Sequence, residues 1–164
     1  MTNDIPKILL LIADVSKNYY GDEKSVRDIY RNIIHNFDWM PDNEAASKTT
    51  NELRQLIYDK EQRGCTGFDC GEVSIALHKD DYPEVIKFAK KYANQQYAPE
   101  TLEDKALHDL FKQLTVAGYG NEFWVEVAGP LNVQSTQIQE VQLNPIINIL
   151  KDKGIKAYKH FWID

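Results

Sequence analysis

Val73-Ser74-Ile75-Ala76-Leu77-His78 is the stretch that decides the fold. Its large apolar residues recur at every second position, and successive side chains of a strand point to opposite faces. The segment therefore predicts a β-strand with Val73, Ile75 and Leu77 turned to a core and Ser74, Ala76 and His78 turned away. The same alternation returns twice downstream. Phe123, Val125 and Val127 alternate with Trp124, Glu126 and Ala128 until Gly129-Pro130 stops the run. Residues 155–163 make the last strand, with Phe161 and Ile163 assigned to the core side and Lys156, Tyr158, His160 and Trp162 to the other.

Helical periodicity fills most of the remaining chain. Residues 3–20 carry Ile5, Ile8, Leu9, Ile12 and Tyr19 near helical spacing, although the unbroken apolar run at 8–12 also suits a buried strand. Ser25 stands as an N-cap before the stripe Val26, Ile29, Tyr30, Ile33, Ile34 and Phe37, the most regular helix pattern present. A helix is expected over 45–63, closed by Gly64. Asp81 with Glu84 gives a capping-box spacing into a helix that ends near Gln96. Thr101 with Asp104 opens another that carries Leu107, Leu110, Phe111 and Leu114 and ends at Gly118. Residues 132–142 fit a loop or an irregular strand, and Pro145 begins a short helix that Gly154 caps. Helices early and strands interleaved later give an α+β class: several helices packed against a small, mainly antiparallel sheet of about three strands. The 164 residues suit a single domain over 1–164.

With 25 acidic and 19 basic side chains the formal charge is −6, so a nucleic-acid backbone, which needs a basic face, is not the expected partner. A basic protein partner is, because complementary fields raise association rates. The apolar run at 8–12 is too short to span a bilayer and has no basic leader before it. The expectation is a cytoplasmic protein without membrane contact. Cys65 and Cys70, the only cysteines, are then expected to be reduced, and no further ligands stand near them to build a zinc site. Neither a phosphate-binding glycine loop nor a His-Glu-x-x-His motif occurs, so no metal or cofactor is expected.

Two groups of residues stand out as candidate contact surfaces. One is the sheet face opposite the core: Ser74, His78, Trp124, Glu126, Lys156, Tyr158, His160 and Trp162, aromatics mixed with charges in the manner of protein interfaces. Whether the three polar strand faces coincide depends on pairing, which sequence does not fix. The other is Trp39, bordered by Asp38, Asp42 and Glu44, an aromatic anchor among steering carboxylates. Trp39, Asp38, Asp42, Glu44, Trp124, Glu126, Tyr158 and Trp162 are thus the expected partner-binding residues. Small size, acidity and the lack of a cofactor motif together suit an immunity protein or antitoxin that neutralises a basic toxin, possibly a nuclease, by stoichiometric binding, rather than an enzyme. Two alternatives remain. His78 and His160 as an acid–base pair, with Lys156 stabilising charge, would serve a metal-independent hydrolase or ribonuclease. An acidic decoy that mimics DNA is the other, although −6 is a modest charge for it. Cys70 is a nucleophile only if a histidine lies beside it.

Overall fold

The computed structural model describes residues 5–61, 70–94, 111–116 and 121–163; for residues 91–94, 111–116 and 163 the backbone alone is described. Pro6 starts the chain's first helix, α1 (Lys7–Tyr20), where its missing N–H costs nothing. The apolar run at 8–12 is therefore helical; Leu9 and Ile12 are buried on one side and Asp14 and Lys17 exposed on the other. Helix α2 (Glu23–Asn36) follows, and its N-cap is Asp22, not Ser25. The Asp22 carboxylate accepts from both the N–H and the hydroxyl of Ser25. These bonds hold the Asp22 carboxyl below its ordinary range. The single helix expected over 45–63 is two: α3 (Asp42–Ala46) and α4 (Thr50–Glu61). They break at 47–49, where the Ser47 hydroxyl returns to the Glu44 carbonyl and Thr49 forms a capping box with Glu52. The expected cap Gly64 lies outside the described residues.

Strand β1 (Gly71–His78) comes next, then α5 (Pro83–Asn94). Residues 79–81 are a turn, and the helix begins at Pro83, so Asp81 is not its cap; Asp81 instead lies 3.5 Å from Lys156 Nζ. Residues 111–116, expected to be helical, form strand β2 (Phe111–Val116), which pairs antiparallel with β3 (Glu122–Val127). Phe111 and Leu114 fit helical spacing, but pairing to β3 satisfies every second backbone group, and tertiary pairing overrides such a local pattern. The start of the helix expected at 101–118 lies outside the described residues. The polar stretch 132–142 is neither loop nor strand over most of its length. Ser135 caps α6 (Thr136–Asp152) by accepting from the N–H of Ile138, and Pro145 sits inside this helix instead of beginning it. Gly154 ends it as expected. The Ile155 N–H reaches the Leu150 carbonyl and the Gly154 N–H reaches that of Lys151, a Schellman closure that requires the φ of +83° at Gly154. Strand β4 (Ala157–Ile163) completes the fold.

The class is α+β, with six described helices and an antiparallel sheet ordered β2-β3-β1-β4. The sheet thus has one strand beyond the expected three, namely β2 at an edge. Register sets Ile75 opposite Val125 and Leu77 opposite Phe123 on one side, and Val73 opposite Phe161 and Leu77 opposite Ala157 on the other. The face holding these residues packs on α1, α5 and α6 through Leu9, Ile12, Val85, Ile146 and Leu150. A second core joins α2 and α4 through Ile33, Ile34, Leu53 and Ile57. Helix α6 ties the two together: Ile138 enters the second core, while Leu143, Ile147 and Leu150 enter the first.

Phe161 departs from expectation. It shares the core side with Val73, yet is 42% exposed near the end of the edge strand β4. Lys159, on the same side, stays half-buried by bonding Glu140 and Asn144 of α6 at 2.7 and 2.8 Å. A charge turned inward on an edge strand also discourages further strands from adding there.

Candidate functional site

The polar faces of β1, β3 and β4 coincide. Glu72 is opposite Trp162, Ser74 opposite His160, and Ala76 lies between Tyr158 on one side and Trp124 on the other. The helices of the first core all pack on the opposite face. On the open face Trp162 is 58% exposed and Tyr158 40%.

The residues of β1 explain how this face is organised. Strands β3 and β4 flank β1 and so stand about 10 Å apart. Ser74 and Ala76 are small enough for side chains on both neighbours to lean across them. The rings of Trp124 and His160 meet there, stacked with centroids 3.7 Å apart and planes 12° apart. Ala76 is consequently fully buried although it faces away from the core. Trp162 leans the same way, its ring 6.4 Å from that of Trp124.

Glu122 anchors the cluster. Its carboxylate accepts from Trp124 Nε1 at 2.8 Å and from the Tyr158 hydroxyl, and it lies 3.3 Å from His160 Nδ1. The Tyr158 bond is the main cause of a carboxyl pKa below the usual range; the Trp124 bond and the fields of His160 and His78 act the same way, against partial burial. Burial, and then the bond and charge of Glu122, push the Tyr158 phenol up to about 12. Glu122 was not among the residues singled out from sequence. The available signal was its place two positions before Trp124, on the same face by strand period.

The three residues of the hydrolase alternative each turn to a different partner. His78 is opposite Glu122 in the ladder, and its Nδ1 accepts the N–H of Asp80 at 3.2 Å. His160 turns Nδ1 to Glu122, and its Nε2 is buried with no hydrogen-bond partner among the described residues. Lys156 precedes β4 and turns to Asp81. Cys70 is disulfide-bonded, which corrects the expectation of a reduced thiol there and removes it as a nucleophile; Cys65 lies outside the described residues. Among the described residues no group of three or more His, Cys, Asp or Glu is placed to hold a metal. No described helix is long and apolar enough to cross a membrane.

The Trp39 group sits elsewhere, after α2. Trp39 stacks on Phe37 at 4.8 Å and is half-buried against the second core at the end of α2. Asp38, Asp42 and Glu44 are exposed around it; Asp38 adopts a φ of 54°, and Asp42 is held 2.8 Å from His35 Nδ1. The eight expected partner-binding residues therefore fall into two groups, a helical corner and the sheet face that carries Trp124, Glu126, Tyr158 and Trp162.

One concavity opens beside the aromatic cluster. The β1–β3 ladder stops at Ile75 and Val125, and nearer the start of β1 the two strands part. Gln139 of α6 fills the missing partner's role. Its Oε1 accepts the Val73 N–H at 3.0 Å, and its Nε2 donates to the Gly71 carbonyl at 2.8 Å and to that of Val133 at 3.0 Å. The first two bonds reproduce the pattern a parallel strand would make opposite Glu72. One turn on, Gln142 pairs in the same way with the N–H and carbonyl of Leu131. Gly129 passes so close that an added Cβ would lie 2.8 Å from Gln142 Oε1. The parting leaves a slot of about 160 Å³, with Glu72 and Glu126 among its walls and Tyr20, Gln139 and Gln142 deeper in. Neither glutamine was recognised from sequence, because both lie in the stretch read as loop or strand.

Comparison with protein-family models, curated proteins and solved structures finds no match to this chain.

Proposed function

We propose that the chain is a stoichiometric protein-binding module of the inhibitor or immunity type, which docks a basic partner on the polar face of its sheet. The observation that carries this reading is the open face itself. Trp162 and Tyr158 project from it, and Glu72 and Glu126 lie on the same side. Exposed aromatics bordered by carboxylates supply burial and steering together. The Trp124–His160–Glu122–Tyr158 cluster holds the surface rigid before binding, which reduces the ordering cost of association. The hydrolase alternative is less well supported. A general base needs a nitrogen within reach of the substrate proton, whereas His160 has one nitrogen against Glu122 and the other shut from solvent.

The test is capture of a partner by tagged protein from its native cells, at low and then moderate salt, beside a Trp162→Ala variant. Disulfides persist in oxidising compartments, and Cys70 is disulfide-bonded, so cytosolic and secreted fractions are both used. The expected result is one basic protein held at one-to-one stoichiometry, weakened by salt. Loss of a central aromatic should reduce its affinity by about 30-fold. Equal retention by Trp162→Ala, or no retained protein in either fraction, refutes the reading.

A further inference from the structure

The slot between β1 and β3 has a size and a chemistry that select a ligand. At about 160 Å³ it falls below the range of roughly 300–1,000 Å³ usual for small-molecule and cofactor sites and suits a single long side chain. Its described lining contains two carboxylates and several amides but no Lys, Arg or His. Glu72 is exposed and has no ion pair or hydrogen bond among the described residues. Deeper in, the side-chain oxygens of Gln139 and Gln142 each accept a backbone N–H at 2.8–3.0 Å, and a carbonyl oxygen has a second lone pair to offer. The Tyr20 hydroxyl donates to the Gln142 carbonyl at 2.7 Å and likewise keeps acceptor capacity. Glu72 and these oxygens favour a cation with several donors. Trp162 lies opposite Glu72 in register, and its ring leans over β1 toward that of Trp124.

We propose that this slot receives one arginine side chain of the docked protein, with Glu72 meeting the guanidinium beside Trp162. Arginine fits better than lysine because its planar fork of five donors matches dispersed acceptors and stacks on indole, whereas an ammonium is a point charge. The proposal deepens the binding reading above and rests on it for the partner, but the slot's selectivity is measurable without one.

The probe is N-acetyl-arginine amide, titrated into the intact, isotope-labelled protein and followed by NMR at the amides of Glu72 and Gln139 and the indole N–H of Trp162. N-acetyl-citrulline amide, which keeps the shape and drops the charge, is the comparison. Saturable shifts at these three positions are expected, with affinity about tenfold weaker for citrulline and about tenfold weaker in Glu72→Gln. Glu72→Gln alters an exposed side chain that has no bonds among the described residues, so its fold is expected to be intact, and an unchanged spectrum elsewhere checks this. An equal response to citrulline, no loss in Glu72→Gln, or no saturable shift overturns the assignment. The two readings fail separately. Arginine binding with no captured protein upholds the slot and sinks the partner reading. Capture through Trp162 without arginine binding does the reverse.

Discussion

Replacing Gln139 by methionine removes one side-chain amide from the place where the sheet comes apart and leaves its volume nearly unchanged. Three hydrogen bonds go with it: from the Val73 N–H at 3.0 Å, and to the carbonyls of Gly71 and Val133 at 2.8 and 3.0 Å. All three are part-buried; the two to β1 span 66 and 68 residues of sequence and tie α6 to the strand, whereas the third spans six. A net contribution of about 0.5–1.5 kcal/mol per bond sums to about 2–4 kcal/mol, since the stranded peptide groups regain water only in part. The extra apolar contact of methionine offsets a fraction of this, and a loss of about 2–3 kcal/mol is expected. Equilibrium urea unfolding measures it, with an unchanged denaturant slope to show that the end states are the same. Hydrogen exchange at the Val73 amide reports the bond itself, and its protection should fall with the substitution. Gln139→Glu retains the acceptor for Val73 but sets carboxylate against two carbonyls, so it should not restore stability. Gln55, whose exposed side chain bonds Asp59 within α4 and nothing else among the described residues, is the control, and Gln55→Met should change stability by under about 0.5 kcal/mol. A loss below about 1 kcal/mol in Gln139→Met, with Val73 still protected, would show that the amide does not hold the strand.

Two further outcomes are expected. Arg27 of α2 donates through Nη2 to the carbonyls of Ala46 and Lys48, both at 2.9 Å, and so ties α2 to the break between α3 and α4; Arg27→Met should cost about 1–3 kcal/mol by urea unfolding, and an unchanged midpoint would refute the tie. The Glu122–Tyr158 bond should give stability a defined pH window. Glu122 is held below its unfolded value near 4.5, so its contribution is complete above that value and is lost as pH falls through the lower folded one. Tyr158 is raised from 10.0 to about 12, so its contribution is complete below pH 10 and is lost as pH climbs to about 12. The unfolding midpoint of Tyr158→Phe should therefore differ most from the parent's between these limits and converge with it at both extremes; a difference independent of pH would contradict the linkage.

Much of the architecture was legible because it rests on periodicity. Val73, Ile75 and Leu77 announced β1, Phe123 and Val125 announced β3, and the stripe from Val26 to Phe37 announced α2, since burial on one side of a strand or helix leaves a pattern at its own period. The assignment of Trp124, Tyr158, His160 and Trp162 to one side of their strands followed from the same rule. Where two local signals competed, sequence was a poor guide. Asp22 and Ser25 are both good caps, and only the hydrogen bond from Ser25 to Asp22 decides between them. Pro145 reads as a helix start, yet the helix was already under way, capped ten residues earlier by Ser135. The spacing of Phe111 and Leu114 pointed to a helix until β3 offered an edge to pair with.

The candidate site divides along the same line. Sequence by itself determined an α+β chain with negative charge, and it determined which residues of each strand share a side, because these are properties of composition and of the chain's local geometry. Tertiary structure alone decided that the three polar faces join, that Trp124 and His160 meet across two small residues of β1, and that Glu122 gathers their donors. It also decided that β1 and β3 part at Ile75 and Val125 and that two glutamines of α6 fill the gap. Register and helix placement are set by contacts between residues tens of positions apart, and no local pattern encodes them.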